Sequence, residues 1–122
     1  MKRLRFLLPI ISLALCPPAH AATVQIRSCN DGDTCRSISG ERIRLACVDA
    51  AEVGEPGSQA ATQALRELVE GRTVGIRRIT KDRYSRTIAE LYADNVNVGE
   101  QLVAQGYARI YRRYAFQCPW AR

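Results

Sequence analysis

The stretch that decides the fold runs from residue 23 to residue 48 and reads TVQIRSCNDGDTCRSISGERIRLACV. Apolar and polar side chains alternate in it three times, which is the pattern of half-buried β-strands. The three alternating segments are residues 23–27, 34–38 and 42–48. Residues 30–33 and 39–41 separate them and are rich in Asn, Asp, Ser and Gly, which favour tight turns. The stretch therefore predicts a three-stranded meander.

The chain beyond the meander predicts helices as well as strands. Residues 58–70 have an apolar helical face, with Ser58 as a candidate N-cap and Gly71 as a candidate stop. Further extended segments are predicted at residues 73–79, 87–92 and 107–111.

A second short helix is predicted over residues 97–105. Asn97 and Glu100 have the spacing of a capping box, and Gly106 provides an end. The element order is then β-β-β-α-β-β-α. Five short strands in a chain of this size favour a barrel, because closure removes exposed sheet edges. We predict a mainly β, α+β fold: a five-stranded OB-type Greek-key barrel with two to three short helices.

The first 21 residues have the pattern of a secretory signal peptide. A basic start is followed by an apolar run at residues 6–16 and an A-x-A pattern at 19–21. The competing interpretations are an N-terminal helix of the domain and a lipoprotein site at Cys16, for which Leu15 is a poor match. We expect a protein exported to the periplasm or secreted, a monomer with no stable membrane association after cleavage.

The net charge and the histidine content limit the kinds of catalysis and of partner that the protein can have. The chain of 122 residues, long enough for one domain, has 18 Lys and Arg against 12 Asp and Glu, a formal charge of +6. Removal of residues 1–21 takes away three basic residues, no acidic one and His20, the single histidine, leaving +3 on residues 22–122. Histidine-based catalysis is then excluded. Apart from Lys81, all the remaining basic residues are arginines, which bind phosphate in a bidentate manner.

Four cysteines remain after residue 21, an even number that predicts disulfides in an exported domain. Three pairings are possible. If Gly32 is the centre of a turn, Cys29 and Cys35 face each other across a hairpin, which leaves Cys47 to pair with Cys118. A zinc site is disfavoured, because a second close pair of Cys or His is missing. The hypothesis is Cys29–Cys35 and Cys47–Cys118.

Acidic side chains are expected to meet at one rim of the barrel. Asp33 precedes the second strand and Asp49 follows the third, and these two ends lie side by side in a meander. Two carboxylates with nearby carbonyls suit a hard cation such as Ca²⁺, and Glu52 lies just beyond. The competing interpretations are a simple turn at residues 31–33 and a polar strand end at 49–52. An EF-hand is a poor fit, because no glutamate stands at the twelfth loop position.

Arginines accompany these carboxylates. Arg44 shares a strand face with Arg42, and Arg83 and Arg86 follow a turn at residues 80–82. One interpretation is that these arginines lie on a solvated face, and another is that they form structural ion pairs. The third is that they bind a phosphate. Arginines for a phosphate and carboxylates for a metal together make a phosphodiesterase site.

Four motifs together resemble the staphylococcal nuclease (thermonuclease) family. They are DGDT at 31–34, RLACVDAAE at 44–52, DRYSR at 82–86 and NVGEQLVAQGYA at 97–108. The resemblance runs from about Val24 to Tyr114. It implies an OB-fold, Ca²⁺-dependent, sugar-nonspecific nuclease acting on DNA or RNA by metal-assisted attack of water.

The resemblance also implies roles for individual residues. It implies that the carboxylates of Asp33 and Asp49 and the backbone carbonyl of Ala50 bind the metal. Asp31 matches an acid that lies next to these ligands without binding the metal directly. Glu52 matches the general base, and Arg44 and Arg86 match the phosphate-binding arginines. The residues matching nucleotide contacts are Arg83, Tyr84 and Tyr114.

Three departures from the family pattern bear on activity. Ala51 replaces a common proline, Ser85 replaces a glycine, and the chain stops at Arg122, so that a C-terminal helix is expected to be shortened or missing. The alternatives to an active nuclease are a catalytically inactive nucleic-acid-binding OB module and a disulfide-stapled interaction module without a nucleic-acid role.

Overall fold

The structure, a computed structural model, describes residues 22–122, and the predicted signal peptide lies outside them. The strands are β1 (Thr23–Cys29), β2 (Thr34–Ser37), β3 (Arg42–Leu45), β4 (Val48–Ala50), β5 (Thr73–Lys81), β6 (Thr87–Ala93), β7 (Val96–Asn97) and β8 (Ala108–Ile110). The helices are α1 (Ser58–Val69) and α2 (Val98–Ala104), and the chain ends in two 3-10 helices, Arg112–Gln117 and Pro119–Ala121. No helix within residues 22–122 is long and apolar enough to cross a membrane.

Five strands close into a barrel, as predicted. β1 pairs antiparallel with β2 and with β5, β2 pairs with β3, and β5 pairs with β6. A parallel pairing between β3 and β6 completes the circle, with Ile43 opposite Thr87 and Leu45 opposite Ala89. This order and the short helices confirm the OB-type α+β fold.

The alternating apolar residues of the strands fill the barrel. Ile26 of β1, Ile43 of β3 and Leu91 of β6 are essentially inaccessible to solvent. Leu65 of α1 and Leu102 of α2 are equally buried and join the same core. Since burial of such a side chain is worth about 1.5–3 kcal/mol, the pattern read from the sequence accounts for much of the stability.

The predicted helix ends are confirmed except at one position. Asn97 caps α2, because its Oδ1 accepts the Glu100 N–H at 3.0 Å. Gly71 and Gly106 follow α1 and α2 with φ of 75° and 80°. The predicted N-cap at Ser58 is wrong: α1 begins at Ser58, Gly57 is the N-cap, and no side chain caps this end.

The third predicted strand ends earlier than expected. β3 stops at Leu45, the chain turns, and β4 begins at Val48 and pairs with β8 in a separate two-stranded sheet. Cys47 has a φ of 69° and its carbonyl accepts the Tyr111 N–H at 2.8 Å. Residues 45–48 are all apolar and all buried, so the alternation of apolar and polar side chains stops at this turn. A continuous apolar run gives no sign that the pairing partner changes from β6 to β8.

Both predicted disulfides are present. Cys29 and Cys35 are directly opposed residues of β1 and β2 and are bonded across the hairpin. Cys47 is bonded to Cys118, which lies between the two 3-10 helices. The second disulfide joins the turn after β3 to the C-terminal segment.

Candidate active site

Arg44 brings together the two carboxylates predicted to bind metal. Its Nη2 atom lies 3.4 Å from Asp33 Oδ2 and 3.6 Å from Asp49 Oδ1. Its Nη1 atom donates to the carbonyl oxygens of Leu45 and Val48 at 2.5 and 2.7 Å. Because the side chain is only 12% exposed, the guanidinium is fixed in the gap between β3 and β4.

Asp33 is the more buried of the two carboxylates. Its Oδ2 accepts the Ala50 N–H at 3.0 Å, and its Oδ1 accepts the Thr34 hydroxyl at 3.2 Å. Burial raises the pKa of Asp33 above its usual value, although the Arg44 guanidinium and the Ala50 N–H act in the opposite direction. Asp31 lies behind, and its Oδ1 accepts the Asp33 N–H at 3.0 Å. These contacts bring the Ala50 N–H and the Asp31 carboxylate next to Asp33.

The donor set at this rim fits Ca²⁺. Residues 22–122 contain no group of three or more His, Cys, Asp or Glu side chains arranged for a metal ion. The candidate ligands are two carboxylates and one backbone carbonyl, all hard oxygen donors of the kind that Ca²⁺ prefers. Asp33 and Asp49 converge on one cationic nitrogen, so that they share a position suited to positive charge.

A second arginine, not predicted from the sequence, contacts this cluster. Arg109 Nη2 lies 3.3 Å from Asp49 Oδ2, and the two residues are cross-strand partners in β8 and β4. The formal charges of Asp33, Asp49, Arg44 and Arg109 therefore cancel. The sequence alone does not predict this contact, because an arginine opposite an aspartate can be recognised only once β4 is known to pair with β8.

Arg86 is held at the start of β6 by the loop before it. Its Nε donates to Asp82 Oδ2 at 2.7 Å, and its backbone N–H donates to Asp82 Oδ1 at 2.9 Å. Desolvation raises the pKa of Asp82, but hydrogen bonds from Arg86 and from the Tyr84 N–H outweigh it and hold the pKa below its usual value. Asp82 is thus an ionised clamp that orients the Arg86 guanidinium.

The Tyr84 ring is close to two guanidinium groups of the same loop. The central carbons of the Arg83 and Arg86 guanidinium groups lie 4.9 and 5.5 Å from the centre of its ring, within the range of cation–π contacts. The Tyr84 hydroxyl accepts a hydrogen bond from Arg83 Nη2 at 2.8 Å. The loop therefore presents two cations and one aromatic ring as a unit.

The loop contains a strained residue. Ser85 has a φ of 62°, in the left-handed region that favours glycine. Ser85 therefore stands where the family pattern has glycine, and its backbone has a conformation that glycine adopts more readily than serine.

Ser85→Gly should raise the free energy of unfolding by about 1 kcal/mol, because it relieves left-handed strain at an exposed position. Urea denaturation of both proteins measures the change. Ser28→Gly is the matched control: Ser28 lies within β1 and lacks a positive φ, so the same substitution should lower stability there. Equal destabilisation by both variants would contradict the role given to the Ser85 backbone.

The predicted phosphate and nucleotide contacts share one open cavity of about 560 Å³. The predicted residues in its wall are Arg44, Arg83, Tyr84, Arg86 and Tyr114. Other residues of the wall, including Cys47, Tyr111, Arg113 and Gln117, were not predicted to contact substrate. Tyr111 and Tyr114 contact each other edge to face, with ring centres 5.1 Å apart. The C-terminal segment thus contributes to the wall of the cavity.

Glu52 lies apart from this cavity. It lines a second one, of about 570 Å³, together with Asp49, Ala50 and Arg109. Its backbone N–H donates to Glu55 Oε1 at 3.0 Å, while its own carboxylate makes no hydrogen bond or ion pair within residues 22–122. Arg44 lines the first cavity and Asp49 lines the second, and the ion pair between these two residues links the cavities.

The fold and the site define an OB-fold domain with carboxylates and arginines clustered at one rim of the barrel. The family model described as "Staphylococcal nuclease homologue" matches residues 42–119, which include all of these groups except Asp31 and Asp33. The chain belongs to this family.

Several curated proteins are similar to the chain. A protein of Escherichia coli O157:H7 named "Uncharacterized endonuclease" is 34% identical over 104 residues, covering 82% of this chain and 66% of its own length. One of the same name from Haemophilus influenzae is 33% identical over 97 residues, covering 76% and 54%. A "Probable staphylococcal-like nuclease" of Oryza sativa subsp. japonica is 37% identical over 73 residues, covering 60% and 22%. The chain thus spans between about half and two thirds of the length of the two bacterial relatives.

Proposed function

We propose that this protein is a Ca²⁺-dependent, sugar-nonspecific nuclease that hydrolyses phosphodiester bonds of DNA and RNA. The observation that carries the proposal is the position of Arg44, which contacts both Asp33 and Asp49 and also lines the cavity that contains Arg86. A cation site and a phosphate site therefore adjoin through one side chain. The names of the relatives, endonuclease and staphylococcal-like nuclease, support the same activity.

The charge balance of the site supports the need for a metal. Asp33 and Asp49 are already matched by Arg44 and Arg109, so these four groups have no surplus positive charge for a phosphate. Ca²⁺ held by the two carboxylates and the Ala50 carbonyl would supply that charge and polarise a phosphate oxygen.

The arginines stabilise charge that builds up on the phosphate. Arg44 and Arg86 have fixed guanidinium groups, and preorganised donors of this kind act most strongly in the transition state. Neither arginine is a useful acid at neutral pH, because a guanidinium group remains protonated there. Water is the better source of the proton that the leaving oxygen requires.

Glu52 takes a proton from the attacking water in this proposal. Its carboxylate is exposed and unpaired within residues 22–122, so that it is free to accept a hydrogen bond from water next to Asp49. The separation of Glu52 from the cavity that contains Arg44 and Arg86 also favours a second candidate, an OB module that binds nucleic acid without cleaving it. Cleavage assays separate the two functions.

Export completes the proposal. Two disulfides in one small domain are typical of proteins that fold in an oxidising compartment, which agrees with the signal-like pattern of residues 1–21. We place the mature protein in the periplasm or the medium as a monomer.

Chelation of Ca²⁺ should abolish cleavage of both DNA and RNA. The oxidised protein is incubated with plasmid DNA or a structured RNA in Ca²⁺ or in EGTA, and the products are separated on gels. Asp49→Asn should lower the rate at a given Ca²⁺ concentration, because it removes one anionic ligand. Asp94→Asn is the matched control, since Asp94 pairs with Arg72 in the β6–β7 turn, outside both cavities.

Two results would contradict parts of the proposal. Full activity in EGTA would rule out the role of the metal. Salt-dependent binding of nucleic acid with no cleavage in Ca²⁺ would support the binding-only module.

A further inference from the structure

Two arginines stand directly opposite each other on the outside of the barrel. In the β2–β3 pair, Arg36 is the cross-strand partner of Arg42, next to the pair formed by Thr34 and Arg44. Like charges in directly opposed positions repel and destabilise a sheet. This pair is therefore a local cost to stability that the barrel itself does not require.

No acidic side chain in residues 22–122 compensates the pair. Neither Arg36 nor Arg42 forms an ion pair there, although acids lie close by in the chain. Glu41 is engaged by Arg78 and by the Thr87 hydroxyl. The two guanidinium groups thus keep their full charge for an outside anion.

The pair is continuous with the candidate active site. Arg42 and Arg44 lie on the same face of β3, two residues apart, which is a rise of about 7 Å. Arg42 Nη2 also donates a hydrogen bond to the backbone carbonyl of Tyr84, in the loop that holds Arg86. A row of arginines therefore runs from Arg44 outward along β2 and β3, and its outer members, Arg36 and Arg42, have no ion-pair partner within residues 22–122.

We propose that Arg36 and Arg42 form an additional phosphate-binding site for a nucleic-acid strand that extends beyond the cleaved bond. Guanidinium groups match phosphate oxygens in a bidentate manner, and a bound phosphate would relieve the repulsion between the two arginines. The site makes the preferred substrate a polynucleotide rather than a dinucleotide. This inference rests on the proposed function for the identity of its ligand.

The test compares Arg36→Gln with Arg72→Gln. Arg72 is an exposed arginine that pairs with Asp94 and precedes β5, whose opposite end lines the active-site cavity. Both variants lose one positive charge, so a difference between them in nucleic-acid binding depends on where that charge was. Arg36→Lys keeps the charge in place, and circular dichroism checks that all variants are folded.

Binding of labelled single-stranded oligonucleotides is measured in EGTA, at several salt concentrations, with a dinucleotide and a 12-nucleotide strand. Arg36→Gln should bind the long strand about five- to tenfold more weakly at 50 mM salt, with a salt slope smaller by about 0.7, the value for one phosphate contact to a single strand. Dinucleotide binding should not change. Arg36→Lys should retain the wild-type slope.

The outcomes separate this inference from the proposed function. If Arg36→Gln and Arg72→Gln have the same affinity and slope, the additional site is refuted even if the protein cleaves DNA. If the wild type never cleaves in Ca²⁺ but Arg36→Gln selectively weakens binding of the long strand, the nuclease proposal fails and the site stands. A wild type that neither binds nor cleaves nucleic acid overturns both.

Discussion

Arg86→Ala should lower kcat/KM for DNA cleavage by about 10²- to 10³-fold, the usual effect of removing one preorganised donor to a developing oxyanion. The guanidinium of Arg86 is oriented by Asp82 and lines the same cavity as Arg44. Its charge is therefore in place before the phosphate arrives. The loss should appear mainly in kcat, because the interaction strengthens as charge builds up in the transition state.

The same substitution should leave the fold nearly unchanged. Asp82 would lose one hydrogen bond, but it would keep the backbone N–H groups of residues 84 and 86 as donors. The ion pair is partly exposed, with 30% and 20% of the two side chains accessible, and such pairs contribute up to about 1 kcal/mol. Steady-state kinetics and urea denaturation on the same preparation separate loss of activity from loss of folded protein.

Arg83→Ala is the matched control for that experiment. Arg83 belongs to the same loop and also contacts the Tyr84 ring, but its side chain has no carboxylate clamp within residues 22–122. We expect a smaller effect, seen mainly as a higher KM. An equal loss of kcat in the two variants would mean that the loop contributes only general positive charge.

The barrel could be predicted from the sequence because its signals are local. Alternation of side chains marks β1, β2 and β3, and the turn residues at 30–33 set the register that brings Cys29 opposite Cys35. The parallel closure of β3 on β6 has no local signal. Closure in general was predicted, because a closed barrel leaves few exposed sheet edges, but the pairing of β3 with β6 was not.

The candidate site was predicted in part for the same reason. Meander geometry alone brings Asp33 beside the strand that leads to Asp49, and the structure places both at Arg44. Contacts that depend on distant pairings were missed. Arg109 reaches Asp49 only because β8 lies next to β4, and Tyr111 lies in the cavity wall where its N–H donates to the Cys47 carbonyl, far away in the sequence.

Loss of the Cys47–Cys118 disulfide should be the most destabilising of the changes considered. Its two residues are 71 positions apart, and closure of a loop of that length in the unfolded chain corresponds to about 4 kcal/mol in the chain-entropy model. Domains of this size have total stabilities of about 5–15 kcal/mol. The double variant Cys47→Ala, Cys118→Ala should therefore have a much lower urea midpoint than the wild type.

The Cys29–Cys35 disulfide provides the matched control. It closes a loop of only six positions, for which the same model gives about 2 kcal/mol. The double variant Cys29→Ala, Cys35→Ala should thus lose about half as much stability. If the two double variants were equally destabilised, strain or packing rather than loop length would set the contribution of each disulfide.

The two disulfides should also differ in their effect on substrate binding. Cys47 and Cys118 are buried in a small cluster with Ala46, Ala115 and Ala121, separate from the barrel core. This cluster anchors the C-terminal segment, which contributes to the wall of the active-site cavity. At a temperature where both variants remain folded, loss of Cys47–Cys118 should raise KM for nucleic acid, since that wall is no longer held against the turn after β3. Loss of Cys29–Cys35, which lies in neither cavity wall, should leave KM unchanged, and a rise of KM in that variant would contradict this division of roles.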